Sequence, residues 1–416
     1  MNLDKLPDQP RPGSDRTLAT IANVAAVMDE AGITARYNII KKQIEIEVPE
    51  HKGTPDNLDN VTLTRIVSLC AMHEMPTGRV PDYVAAVADQ HEYNPVADWI
   101  HSRVWDGQDR LTSLYATVIE QEDYPLELKQ ALLRKWLLSA TAAALVPAYK
   151  GRGVLTLQGP QGIGKTSWVR ALVSDSKLSE SVVKLDHHLD ASNKDTVIEA
   201  IEHWIVEIGE LDSSFKKDVA RLKGFLTRDS DKVRRHYDRR TSGYPRRTVF
   251  AATVNEANFL VDNTGNNRWW TLAVKDLNFN HSIDMQQLFA QLAVELEQGG
   301  QWWLSKDEEA MLDAWNDRHT APSVVADMVM RRLDLTPGCK TKALTPTELL
   351  RIAGIDHPNN TQAKECGTLL RGLFGAPTKI LGRFKWKVPL REPTADDLYE
   401  EPPAKTIVRC APDEVF

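Results

Sequence analysis

Apolar residues recur at three- and four-residue spacing from Leu18 to Ala31 and stop at Gly32, which predicts a helix closed by a glycine. Two short runs follow, Ala35 to Ile40 and Gln43 to Val48, and they read as strands. From Thr62 to about Leu145 helical spacing dominates, broken at Asn94-Pro95 and at Trp105-Asp106-Gly107. The period then changes. Val154 to Leu157, Trp204 to Ile208 and Thr248 to Asn255 are short runs rich in apolar and β-branched residues, the kind that a parallel sheet buries on both faces. Helical segments return up to about Arg332, and Pro337-Gly338 marks a boundary. Beyond it Thr345 to Ala353 and Gln362 to Phe374 predict two helices ahead of a hairpin over Lys379 to Leu390. The expected organisation is a flexible lead (1–16), a small α/β module (17–60), a helical lead-in (61–150), an α/β core (151–332), a winged-helix-like domain (340–391) and an acidic, disordered tail (392–416).

The first buried run opens onto Gly159-Pro160-Gln161-Gly162-Ile163-Gly164-Lys165-Thr166, which matches the phosphate-binding pattern G-x-x-x-x-G-K-[ST]. Ser167 to Val173, with helical spacing, follows it. Strand, glycine-rich loop and helix in that order turn successive backbone N–H groups toward a β-phosphate. Lys165 is placed to reach the β and γ oxygens, and Thr166 to hold Mg²⁺. Gly159 to Ser167 are thus the expected ATP cradle of a P-loop NTPase.

Hydrolysis also needs an acid at the end of a neighbouring strand to polarise water and hold the metal shell. Trp204-Ile205-Val206-Glu207-Ile208-Gly209-Glu210-Leu211-Asp212 ends in acids, and Glu207 interrupts an otherwise apolar run. Glu210 is the first candidate for the catalytic acid, with Glu207 as the metal-side partner and Asp212 third. Asn255 closes the next run with an amide able to hydrogen-bond both the γ-phosphate and the attacking water. Thirteen residues beyond it, Arg268 precedes Trp269-Trp270. An arginine anchored in that way can act on a neighbouring subunit's γ-phosphate, which is typically worth ~10³ to 10⁵ in rate. Each residue has a plainer reading, as a solvated strand end, a turn-capping amide or a surface arginine on an aromatic ledge. Their joint occurrence after a phosphate loop favours catalysis.

Charge adds a partner. The chain carries a net −7, yet residues 216–247 hold twelve Lys or Arg against four Asp. Within them Arg234-Arg235-His236-Tyr237-Asp238-Arg239-Arg240 sets bases around an aromatic ring, a combination suited to the backbone and bases of single-stranded or forked DNA. The competing readings are a solvated basic helix and arginines that complete an ATP site between subunits. No stretch approaches the roughly 20 apolar residues of a membrane span. The N-terminus has no secretory pattern, so a cytoplasmic location is expected. Cys70, Cys339, Cys366 and Cys410 lie far apart, without the spacing of a zinc module or a disulfide framework.

Read together, the phosphate loop, Ile205 to Asp212, the basic Arg228 to Arg234 stretch, Thr253-Val254-Asn255 and Gly265-Asn266-Asn267-Arg268-Trp269-Trp270 resemble the virulence-associated E family of phage proteins. Asn94-Pro95-Val96 and Trp105 to Leu111 resemble that family's helical lead-in. The family is similar to superfamily 3 helicases, hexameric AAA+ motors of viral and plasmid replication. The resemblance implies an AAA+-like core, Mg-ATP, a homo-oligomeric ring, DNA and replication-initiation proteins as partners, and a phage or prophage protein acting in a bacterial host. Two departures stand out. The family's adjacent arginines are Asn267-Arg268 here, and the paired acids of many superfamily 3 members are absent, so Glu207 and Glu210 remain alternatives for the catalytic acid. With no acidic metal cluster or zinc ribbon before the loop, primase activity is not expected. The main reading is an ATP-driven DNA helicase or translocase. The alternative is an AAA+ switch that loads or remodels a protein partner, or acts in defence, without unwinding DNA.

Overall fold

The computed structural model describes residues 6–10, 13, 16–49, 58–209, 219–233, 242–256, 259–260, 266–319, 324–336 and 338–391. They form two compact units, Met1–Thr320 and Ala321–Phe416. No helix among the described residues is long and apolar enough to cross a membrane.

The first unit opens with helix α1 (Ile21–Glu30), where the Thr20 hydroxyl accepts from the Asn23 N–H as an N-cap. Strands β1 (Thr34–Asn38) and β2 (Gln43–Glu47) pair antiparallel, with Tyr37 opposite Ile44. Helices α2 (Leu58–Met72) and α3 (Val80–Asp89) follow, and β3 (Glu92–Tyr93) joins β1 in parallel. Val24 and Val27 of α1, Ile66 and Cys70 of α2, and Val80 and Val84 of α3 share one core. Their spacing is that of helices with one apolar face. Because α2 and α3 bury that face here, the N-terminal core extends past residue 60, into the stretch expected to form a separate lead-in.

That stretch is not all helical. After α4 (Pro95–Ile100), which Asn94 caps from its side chain, and α5 (Leu111–Tyr115), the short strand β4 (Val118–Glu120) precedes the long helix α6 (Leu126–Leu145). Three residues carry too little periodicity to announce a strand.

The central sheet is assembled from β4, β5 (Val154–Gln158), β6 (Val183–Lys184), β7 (Ile205–Ile208), β10 (Val249–Val254) and β11 (Trp269–Leu277), with β8 (Ser230–Val233) and β9 (Ser242–Pro245) forming a separate hairpin. The spatial order is β4-β11-β5-β10-β7-β6, and every pair except β4–β11 is parallel. Helices α7 (Lys165–Ala171), α8 (Ser176–Val182), α9 (Lys194–Ile201), α10 (Val219–Leu226), α11 (Met285–Glu297) and α12 (Lys306–Asn316) complete the unit. Strand alternation feeds two cores. Val249 and Ala251 pack with Leu155, Leu157 and Trp168, while Phe250, Ala252 and Val254 pack with Ile201, Phe225 and Trp269. Two buried indoles are satisfied by backbone carbonyls, Trp136 by Phe250 and Trp204 by Ala140.

The second unit runs α13 (Val324–Arg331), β12 (Thr341–Leu344), α14 (Pro346–Ile352), α15 (Asn360–Phe374), β13 (Thr378–Ile380) and β14 (Arg383–Pro389), with strand order β12-β14-β13. Reciprocal capping boxes, Thr345 with Glu348 and Asn359 with Gln362, start α14 and α15. Leu349, Leu350, Cys366, Leu370, Trp386 and Val388 form its core. The hairpin turns through Leu381 and Gly382, both at positive φ.

Candidate nucleotide site

The Gly159–Thr166 segment leaves the C-terminal end of β5 and enters α7. Gly162 and Gly164 have φ near +85°, a conformation that costs glycine nothing and side-chain-bearing residues a good deal. Gly159 is needed for space as well, since a Cβ there would lie 2.3 Å from the Val274 carbonyl oxygen.

Lys165 points back into the loop it follows. Its Nζ donates to the carbonyls of Gly159 (2.8 Å) and Pro160 (2.7 Å) and to Asn255 Oδ1 (2.8 Å). Burial holds its pKa below the usual lysine range, and the Glu207 carboxylate acts against that shift. Asn255 reaches it because Val254, the last residue of β10, pairs with Gln158, the last of β5.

Glu207 is fully buried on β7. One carboxylate oxygen, Oε1, accepts from the Thr253 hydroxyl at 2.6 Å and from Thr166 Oγ1 at 3.4 Å, and the other accepts from the Asp186 N–H at 2.7 Å. The neighbouring ends of β5, β10 and β7 therefore bring Lys165, Thr166, Asn255 and Glu207 into one connected cluster. Thr166 and Glu207 offer hard oxygen donors, the class that Mg²⁺ takes together with phosphate oxygens and water. Among the described residues no group of three or more His, Cys, Asp or Glu could hold a metal without such help.

Two members were missed in the sequence reading. Thr253 supplies the shortest contact to Glu207. Asp186 has φ +51°, and its carboxylate lies so close to Gly209 that a Cβ there would come within 2.0 Å. The signal for Asp186 was an apolar run, Val182-Val183, that ends in an acid a few residues on.

Glu210 and Asp212 lie outside the described residues, as do Arg234, Arg235, Tyr237, Arg239 and Arg240. Arg268 is not beside its own loop. It precedes β11, whose Trp269 pairs with Val154 at the far end of β5, so the strand's rise of about 3.3 Å per residue separates them by roughly 15 Å. It lines a cleft of about 440 Å³ with Lys150, Arg152, Asn267, Trp303 and Glu309. Its Nε is buried without a hydrogen-bond partner among the described residues. Trp269 and Trp270 are buried, one in each core of the central sheet, and a Cβ on Gly153 would strike the Trp270 indole at 2.1 Å.

The basic segment is used partly indoors. Arg246 and Asp231 are each 1% exposed and form a bidentate pair at 2.6 Å, with the guanidinium over Phe225. Lys223 is also buried, and Arg247 donates to the Ala144 carbonyl. Arg221, Arg228 and Lys232 are exposed.

Fold and site together define an α/β protein whose glycine-rich loop, lysine, asparagine and buried glutamate meet at the ends of adjacent parallel strands. The chain belongs to the virulence-associated protein E-like family, whose domain model matches residues 100–321, more than half of its length. No curated protein matches the chain. Among solved structures, the apo structure of the NrS-1 C-terminal region is similar over 88% of this chain and 98% of that one, at 13% identity and a TM-score of 0.35. Its A form is similar over 88% and 99%, at 13% identity and a TM-score of 0.38. Likenesses of that degree carry no weight for fold or function here.

Proposed function

We propose that the protein is a Mg-ATP-dependent DNA helicase or translocase of phage or mobile-element replication, built on an AAA+-like P-loop core and acting as a ring, with a winged-helix-like domain over residues 340–391. The observation that carries this reading is the cluster itself: the loop lysine sits within hydrogen-bonding distance of Asn255, and the loop threonine faces a buried glutamate. The order β11-β5-β10-β7-β6, with the phosphate loop following β5 between β11 and β10, supports the AAA+-like assignment. In this reading Lys165 binds the β and γ oxygens, Asn255 orients the γ-phosphate and the attacking water, and Thr166 and Glu207 hold the metal. Mg²⁺ supplies charge neutralisation on the phosphates. Glu210, or Glu207 in its place, polarises the water.

The buried Arg246 and Lys223 favour a second reading to a limited degree, because part of the basic segment serves the interior and not a ligand. That reading is an ATPase that loads or remodels a protein partner without unwinding DNA.

ATPase turnover measured with and without single-stranded DNA over a range of salt separates the two. A channel that neutralises phosphates gives a log–log salt slope of about −0.7 per contact and DNA-stimulated turnover. Replacing Arg234, Arg235, Arg239 and Arg240 with Ala should flatten that slope while basal turnover persists. ATP hydrolysis indifferent to DNA at every salt concentration would reject the helicase in favour of the remodeller.

A further inference from the structure

Beyond Leu277 the chain folds back over the glycine-rich loop. Phe279 lies against Gly164 so closely that a Cβ on that glycine would fall 2.3 Å from the ring. The ring is 37% exposed and belongs to neither core of the central sheet. An aromatic side chain placed on a phosphate-type loop with one side open is poorly explained by packing. Two residues on, both ring nitrogens of His281 are shielded from solvent and, among the described residues, meet no hydrogen-bond partner beyond the residue's own main chain. Buried polar atoms in native proteins are nearly always satisfied, so these two nitrogens leave hydrogen-bonding capacity open to a molecule that enters beside them. Burial lowers the imidazole pKa, which leaves the ring neutral at physiological pH with one donor and one acceptor nitrogen. Both residues line a cleft of about 950 Å³ together with Ser167, Arg170, Ile283 and Met285. Ser167 directly follows Thr166, so the cleft begins where the phosphate loop ends.

We propose that this cleft receives the base and ribose of the nucleotide whose phosphates occupy the Gly159–Thr166 loop, with Phe279 against the face of a purine and His281 at its hydrogen-bonding edge. The inference rests on the nucleotide reading above and adds to it the residues that select the base. The walls are mixed, with Val183, Leu185 and Met285 set beside Ser179, Glu180 and Lys184, so the cleft offers a base both apolar surface and hydrogen-bonding groups. Base stacking on an aromatic side chain is worth roughly ten-fold to a hundred-fold in affinity. A neutral imidazole offers a donor and an acceptor to an adenine edge.

The test is equilibrium binding of Mg-ADP, Mg-CDP and Mg-tripolyphosphate to the full chain. Phe279→Ala should weaken ADP ten-fold or more and leave tripolyphosphate unchanged, with Phe279→Tyr restoring most of the loss. His281→Ala should erase the preference for ADP over CDP. Equal ADP affinity in the parent and Phe279→Ala proteins, or equal losses for ADP and tripolyphosphate, would overturn the proposal. If the parent binds ADP at a site that Lys165→Ala abolishes while both cleft variants behave as the parent, the base assignment alone fails. If the parent binds no nucleotide at all, the nucleotide reading fails and takes this inference with it.

Discussion

Lys165 Nζ donates to Asn255 Oδ1 at 2.8 Å across ninety residues of sequence, while the Gly159 and Pro160 carbonyls accept its remaining protons. The ammonium is therefore fully satisfied by its own protein. A phosphate that enters the loop must displace at least one of these partners, and the neutral amide of Asn255 yields more readily than a charged group would.

That relationship makes Asn255→Asp informative. A carboxylate in place of the amide would turn a neutral acceptor into an ion-pair partner and hold Lys165 away from phosphate. Charge-assisted hydrogen bonds are roughly twice as strong as neutral ones, so the apparent Kd for ATP should rise about ten-fold or more. Asn255→Ala should bind ATP nearly as the parent does but hydrolyse it slowly. Equal ATP affinity in the parent and Asn255→Asp would show that the contact does not regulate the lysine.

A second expectation concerns the Thr253–Glu207 contact. Thr253→Val keeps the shape of the side chain but removes the hydroxyl that donates to Glu207 Oε1 at 2.6 Å. Loss of a partner that orients a metal-binding group typically costs 10- to 100-fold in metal affinity, and leaving a buried acceptor short costs about 1–3 kcal/mol of stability. Titrating ATPase activity with Mg²⁺ reads the first effect and urea denaturation the second. An unchanged Mg²⁺ half-saturation would remove Glu207 from the metal shell.

Much of this cluster is legible in the sequence, because its parts obey local rules. Gly159 to Thr166 is a contiguous pattern, and β5, β7 and β10 are continuous apolar runs that only a sheet covered on both faces can bury. What was not legible depends on register. Thr253 meets Glu207 only because Ala251 pairs with Glu207 across two strands distant in sequence. Asp186 follows a strand of two residues, and β4 has three, too short for a period to emerge. Arg246 misled in another way. A basic run reads as a solvated or ligand-binding face, but this arginine turns inward to a buried aspartate that sequence alone does not pair with it.

The Arg246–Asp231 pair should therefore act on stability. Removing one member leaves the other charge buried and unpaired, which costs about 3–5 kcal/mol. Asp231→Ala should lower the urea midpoint sharply. The exposed Arg318–Asp123 pair gives a contrast within the same unit: Asp123→Ala should cost at most about 1 kcal/mol. Similar small losses for both variants would mean that the hairpin relaxes to hydrate Arg246.

Arg268 offers the last test, because its own glycine-rich loop is at the other end of β5. If it stabilises charge on a transferring phosphate, it must do so on a neighbouring copy. Its Nε, buried and without a partner among the described residues, and the cationic neighbours Lys150 and Arg152 in the same cleft suit such a contact. Arg268→Ala should retain ATP binding and lose about 10³-fold in kcat. Lys165→Ala should lose turnover through its own loop but keep an intact Arg268. When the two inactive variants are mixed in equal amounts and allowed to exchange subunits, about a quarter of the head-to-tail interfaces would join an intact loop to an intact arginine. Turnover should then recover to a fraction of the parent value, and recovery should depend on co-assembly. No recovery in mixtures shown by native mass spectrometry to contain mixed oligomers would leave Arg268 a structural residue at the foot of β11. Full activity of Arg268→Ala alone would exclude it from the reaction altogether.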